Sequence, residues 1–127
     1  MVEEFYLYIL MRNDMDSLNP GKAVAQGAHA ANVFAEQVKS SKFRKEYKKW
    51  AGDRGYGTTI TLSASKEEID ALQQSPKEND EYIMDSIIDA TYPLKDGQVT
   101  HYFPCLTCAY LFAPKRYYGV KHLSLMN

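Results

Sequence analysis

Asn19-Pro-Gly-Lys-Ala-Val-Ala-Gln-Gly-Ala-His-Ala-Ala31 is the stretch from which the rest of the chain is read. Pro20 and Gly21 turn the chain, and Lys22 opens a run of small, helix-favouring residues reaching about Lys39. At about 100° per residue, Val24, Ala28, Ala31, Ala35 and Val38 share one stripe, with Lys22, Gln26 and His29 on the opposite side. The spacing predicts an alanine-rich stripe pressed against a sheet and three polar residues in water. A helix start carries partial positive charge and free N–H groups, so this polar side also suits an oxyanion. Pattern alone reads as a solvated face.

Before this helix, Phe5-Tyr-Leu-Tyr-Ile-Leu-Met11 is a continuous apolar run, the mark of a strand covered on both faces. After it, Ser40-Ser41 can cap a second helix from Lys42 to about Ala51, whose Phe43, Tyr47 and Trp50 point inward. Gly52-Asp-Arg-Gly-Tyr-Gly57 is a loop by composition. Thr58–Ser63 is a second strand, and Ser65-Lys-Glu-Glu68 is a capping box for a helix to about Gln74, with Ile69 and Leu72 inward and Ser75-Pro76 ending it. Glu81–Ala90 is a third strand, on which period 2 sets Asp85 and Asp89 beside Ile83 and Ile87. Thr91–Gly97 reads as an excursion with turn signals at Pro93 and Asp96-Gly97. Pro104–Ala113 is a fourth strand, and Lys115 to about Lys121 can make only a short terminal helix.

Composition bounds the class. At 127 residues, 45% apolar and 24% charged, the chain fits one globular domain with its own core. A net charge of −1 argues against a generally basic nucleic-acid binder while leaving room for a local patch. No signal-peptide pattern or membrane-length apolar run is present, and two cysteines do not make a disulfide scaffold, so the default setting is cytoplasmic and reducing.

Three chemistries can be weighed on these residues. Cys105 and Cys108 form a C-x-x-C, with His29, His101 and His122 elsewhere. On a regular strand residues three apart point to opposite faces, so zinc is set aside and two packed thiols are expected. Lys39, Lys42, Arg44, Lys45, Lys48, Lys49 and Arg54 make the densest positive region, read first as solvated and second as a phosphate-backbone surface. What remains is Lys22, Gln26 and His29 on one helix with Asp89 at a strand's carboxyl end. That set suits a metal-free hydrolysis, with a lysine at an oxyanion and a carboxylate or imidazole on water.

At these residues the chain resembles the peptidyl-tRNA hydrolase 2 family. Arg12, Asp14 and Met15 match its opening, and Gly21, Lys22, Ala25, Gln26, His29, Ala30 and Ala31 match its Gly-Lys-x-Ala-Ala-Gln-x-x-His-Ala-Ala motif. Ile88-Asp89-Ala90, Thr100, Pro104, Ala113-Pro114 and His122-Leu-Ser-Leu125 match later segments, so the likeness spans nearly residues 1–127. The resemblance implies a single α/β domain, a four-stranded mixed sheet with helices on both faces, and often a homodimer. It also implies hydrolysis of the ester joining a peptide to the 3′ end of tRNA, without a metal or cofactor. Lys22, Asp89 and Thr100 match the family's site, with Gln26 and His29 beside them. Arg12, Asp14 and the patch residues Lys45, Lys48 and Lys49 are then expected to contact substrate. Thr91–Gly97 is inserted relative to the family pattern, Cys105 replaces a glycine, and Asp16 and Pro20 replace frequent lysines. A noncatalytic domain of the same fold, binding RNA or a protein partner, is the alternative.

Overall fold

The strand β1 (Phe5–Arg12), apolar on both faces, is central because both faces need cover. It pairs in parallel with β2 (Thr59–Ala64). The hairpin of β3 (Ile83–Asp96) and β4 (Val99–Pro114) joins β1's other edge through β4, antiparallel. A last strand, β5 (Ser124–Leu125), lies antiparallel on β2. This computed structural model describes residues 2–52, 55–73 and 76–126. Arg54 of the basic run and Gln74 and Ser75 at the expected helix end lie outside the described residues.

The sheet is mixed, as expected, but has five strands rather than four, ordered β3-β4-β1-β2-β5. The fifth is drawn from His122-Leu-Ser-Leu125. Two paired residues are too few for an alternation to be visible in sequence. They become a strand because the outer edge of β2 offers unpaired backbone groups, and the Met126 N–H also donates to Thr61 O at 3.0 Å.

Helices cover both faces. On one lie α1 (Pro20–Val38) and α2 (Arg44–Gly52), enclosing Phe5, Leu7, Ile9 and Met11 of β1. On the other, α3 (Lys66–Leu72) and a 3₁₀ turn at Tyr118–Val120 cover Tyr8, Leu10, Leu62 and Met84. The Ser65–Glu68 capping box forms in both directions, with the Ser65 side chain accepting from Glu68 N and the Glu68 carboxylate from Ser65 N. Phe43 and Trp50 are buried and Tyr47 half-buried, as their spacing predicts.

The first helix is turned from its expected orientation. Its buried residues are Ala23, Gln26, Ala30, Phe34 and Val38, whereas Val24 is 75% exposed and Ala28 is also exposed. The buried face is thus rotated by roughly one residue's 100° from the alanine stripe. Phe34 decides this. Its ring lies 4.9 Å from Phe112, 5.4 Å from Tyr110, 5.5 Å from Trp50 and 5.6 Å from Tyr47, centre to centre. An aromatic side chain buries about 150–250 Å², far more than an alanine methyl can offer. Val24, Gly27 and Ala31 instead border an open apolar groove of about 590 Å³ above Leu7, Ile9 and Thr61.

Thr91–Gly97 is a second departure. The segment is no irregular excursion: β3 and β4 continue to pair through Tyr92↔Phe103, Leu94↔His101 and Asp96↔Val99. Gly97 and Gln98 make the two-residue turn, with Gly97 at φ +63 in the first position, as a type II′ hairpin requires. The inserted residues therefore lengthen a ribbon that extends past the rest of the sheet.

The rotation of α1 is testable by chemical denaturation. Phe34→Ala should cost about 3–5 kcal/mol of unfolding free energy, whereas Val24→Ser should stay within about 0.5 kcal/mol. Comparable losses would return the alanine stripe to the core.

Candidate functional site

Three elements meet past the carboxyl end of β1 and beside the middle of β3: Asp89, expected at a strand's carboxyl end, lies within Ile83–Asp96 because the hairpin pairing continues beyond it. Asn19 starts α1 by accepting the Lys22 N–H on its side-chain oxygen at 3.0 Å, with Pro20 in the first turn. That first turn carries no acidic residue, so its positive end is not neutralised locally. Lys22 and Gln26 are four residues apart and stack along one side of α1. Gln26 is buried, only 5% exposed, and its amide spans from β4 to β3. The Nε2 group donates to Asp89 Oδ2 at 2.8 Å, and Oε1 accepts from Thr107 Oγ1 at 2.8 Å. A carboxylate can only accept, so Asp89 fixes which end of the amide faces it, and the Thr107 hydroxyl must donate to the other end. Asp89 Oδ1 accepts from Thr91 N at 3.0 Å. Each carboxylate oxygen retains a further lone pair for water or substrate.

Thr107 reaches Gln26 because of a bulge. Ile87 pairs with Cys108 and Ile88 with Leu106, so the fully buried Thr107 is the extra residue on β4. The same bulge corrects the expectation for the cysteines. Cys105 now opposes Asp89 and Cys108 opposes Ile87, which share a face of β3, so both sulfurs lie on one face rather than two. Cys108 is packed against the Gln26 carbonyl at 3.4 Å, and burial pushes its thiol up to about 11. Cys105 sits by Met15 at 3.8 Å. Among the described residues no group of three His, Cys, Asp or Glu side chains is placed to hold a metal ion.

Lys22 does not pair with an acid within 4 Å among the described residues. Its ammonium lies over the Tyr92 ring, 5.2 Å from the centre, and the Tyr92 hydroxyl is 3.0 Å from Ser17 Oγ. A cleft of about 500 Å³ opens here, walled by Asp16, Ser17, Asn19 and Lys22 on one side and by Pro93, Leu94 and Lys95 of the ribbon on the other. A larger hollow of about 700 Å³ lies near Gln37 and Asp85, further down β3. Its polar groups are spent on one another: Tyr110 donates to Gln37 at 2.6 Å, Gln37 to Asp85 at 2.9 Å, and Lys77 pairs with Asp85 at 3.2 Å. Burial, then the Asp85 charge, pushes the Tyr110 phenol up.

The remaining expected site residues are placed as follows. His29 is exposed on α1, one turn beyond Gln26. Thr100 pairs with Lys95 on the ribbon, five positions along β4 from Cys105, the partner of Asp89. At about 3.4 Å per residue the threonine is roughly 17 Å further out along the strand, so the structure does not set Thr100 beside Asp89. Thr107 is the threonine tied to the Gln26–Asp89 pair, and no local signal in the sequence singles it out. Arg12 is bound within the fold, its Nε on Asp14 at 2.8 Å and its Nη1 on Leu106 O at 2.9 Å. Asp14 in turn accepts from Lys66 N at the start of α3, and the Arg12 guanidinium holds its carboxyl below the usual range.

The basic run divides. Lys42 pairs with Asp80 at 2.9 Å and Lys49 donates to Val2 O at 2.9 Å. Lys39, Arg44 and Lys48 surround Tyr47 at a shallow hollow, with Lys45 exposed nearby in sequence. This surface follows the far end of the 19-residue α1, about 24 Å from Lys22 at 1.5 Å per residue.

Against known proteins, the sequence pattern of the family described as Peptidyl-tRNA hydrolase PTH2 matches residues 5–102. No curated protein matches the chain. The matched span contains Arg12, Asp14, Lys22, Gln26, His29, Asp89 and Thr100, and ends before Thr107. No helix is long and apolar enough to cross a membrane among the described residues.

The Thr107 hydroxyl gives a direct test of this wiring. Thr107→Val keeps the volume but strands Gln26 Oε1, and should cost about 1–3 kcal/mol in denaturant unfolding. Thr107→Ser, which keeps the donor, should recover most of it. Equal stability of the valine variant and the parent would remove the hydroxyl from the network.

Proposed function

Because the chain belongs to the peptidyl-tRNA hydrolase PTH2 family, we propose that it hydrolyses the ester between a peptide and the 3′ end of tRNA. The observation that carries this is the Gln26–Asp89 hydrogen bond with Lys22 one turn away at the helix start. A carboxylate held in place by Gln26 and, one helical turn away, a cation without an acidic partner among the described residues are the groups that attack of water on an ester needs.

In this mechanism Asp89 holds a water on a lone pair that Gln26 and Thr91 leave open. Water oxygen bonds to the ester carbonyl carbon while its proton passes to Asp89. The negative charge that develops on the carbonyl oxygen meets Lys22 and the α1 N-terminus. The carbon–oxygen bond to the ribose then breaks, and the departing oxygen takes the proton back from Asp89. Peptide acid and free tRNA result, and the carboxylate is regenerated. Gln26 acts as a positioning residue, with Thr107 supplying the orientation first expected of Thr100. His29, exposed on α1 one turn beyond Gln26, takes no step in this mechanism. Arg12 and Asp14 brace β1 to β4 and α3, and in this mechanism they support the fold rather than touch substrate. Arg44, Lys45 and Lys48 would hold tRNA phosphates at a distance from the ester.

Purified protein should release free tRNA from N-blocked aminoacyl-tRNA, and Asp89→Ala and Lys22→Ala should each lower kcat by about 100-fold or more. No release by the parent protein at high concentration would overturn hydrolysis and leave a noncatalytic RNA- or protein-binding domain. For the basic surface, Lys45→Glu with Lys48→Glu should weaken tRNA binding and reduce its salt slope by about one to two units. An unchanged slope would return those lysines to ordinary solvated surface.

A further inference from the structure

The lengthened β3–β4 ribbon places an aromatic face beside the cleft that the hydrolysis above does not use. Val99, Tyr102 and Phe103 fall within five residues and are exposed by 57%, 67% and 37%. Scattered single apolar residues at a surface are ordinary, but a cluster on a protruding ribbon marks a contact surface. Register sorts them by face. Tyr92, Phe103, Leu94 and His101 share one face, since Tyr92 pairs with Phe103 and Leu94 with His101. Tyr102 shares the other with Pro93, Lys95 and Thr100. The first face is the one turned to the body of the protein, because its Tyr92 is buried with its hydroxyl at Ser17 and its ring under Lys22.

Moving outward from Lys22, that face presents Tyr92, then the half-exposed ring of Phe103 across the ribbon, then His101, whose side chain is 59% exposed. Flat rings at this spacing are stacking surfaces for bases that are not paired. The adjoining charge fits a nucleotide as well. Lys22 lies over Tyr92 on this face, and the helix start contributes its own positive end.

We propose that the Phe103–His101 face receives the terminal base of the unpaired 3′ end of tRNA, with its ribose ester lying at Lys22 and Asp89. This rests on the hydrolase assignment and deepens it by giving the substrate's last nucleotide a place. The strand then leads back along α1 toward Arg44, Lys45 and Lys48, so the ribbon and the basic surface hold opposite ends of the same single-stranded segment. Stacking suits this task because every tRNA presents the same terminal adenosine whatever peptide it carries. The occupant is the terminal base alone: a longer run of nucleotides along the ribbon would carry the tRNA body away from the basic surface.

The test compares deacylated tRNA with the same tRNA lacking its terminal adenosine, in a direct binding assay. The parent protein should bind the intact form about tenfold more tightly, as expected from one base–aromatic stack. Phe103→Leu keeps the apolar packing and removes the flat ring, so it should erase most of that difference while leaving binding of the trimmed tRNA unchanged. His101→Ala, at an exposed position, carries the same expectation should the Phe103 variant melt early. Tyr102→Ala, on the other face, should keep the tenfold difference. No difference in the parent protein, a difference that survives both inner-face variants, or its loss in Tyr102→Ala would each overturn the proposal. The binding measurement is independent of turnover, so a protein that stacks the terminal base but releases no tRNA would separate failure of the hydrolase assignment from failure of this one.

Discussion

The Gln26 amide is the interaction on which the rest of the site depends. A buried amide must have both its ends satisfied, since leaving either unpaired costs more than a typical hydrogen bond contributes. Gln26 meets that requirement by reaching two strands at once, Asp89 on β3 and Thr107 on β4. The bulge at Thr107 is what brings the hydroxyl to it. The same arrangement recurs lower on α1, where Gln37 takes a hydrogen from Tyr110 of β4 and gives one to Asp85 of β3. Two hydroxyl–amide–carboxylate bridges thus lock one helix to one hairpin. Together with the burial of Phe34 they fix α1's rotation, and they set the orientation of both acids.

Much of the surrounding structure follows from that lock. With Gln26 and Phe34 on the buried face, Val24 and its small neighbours are turned outward, leaving the apolar groove over β1 and β2. Lys22, one turn before Gln26, is carried to the mouth of the cleft, where Tyr92 supports it. The upper acid meets Gln26 and the Thr91 N–H, while the lower acid meets Gln37, the Ser86 N–H and also the Lys77 ammonium. The two acids therefore share an amide partner and differ in that only the lower one, among these partners, has its charge matched by a lysine.

Legibility in the sequence varied with the range of the interaction involved. The capping box at Ser65, the inward Phe43 and Trp50 and the apolar β1 all depend on neighbours a turn or a strand away, and they appear as expected. The helix-wheel assignment for α1 failed because alanine is compatible with either environment, so the stripe carried little information and Phe34 was undervalued. The cysteine geometry failed because parity along a strand assumes no bulge. Thr100 matches the family motif by its spacing from Pro104, and the lengthened ribbon sets that position along β4, away from Asp89.

The sequence by itself determined the helices and the first four strands as types, the family, and the short list of polar residues from which the site is drawn, because these reside in local spacing and composition. Tertiary structure alone decided which of them meet. That Gln26 faces inward, that Thr107 rather than Thr100 is bound to the Gln26–Asp89 pair through the amide, and that Thr91–Gly97 is a paired ribbon all depend on contacts between residues more than sixty positions apart or on hairpin register. No periodicity records such contacts. They are selected by the need to satisfy a buried amide and to bury one large ring, and both conditions apply only once helix and sheet have come together.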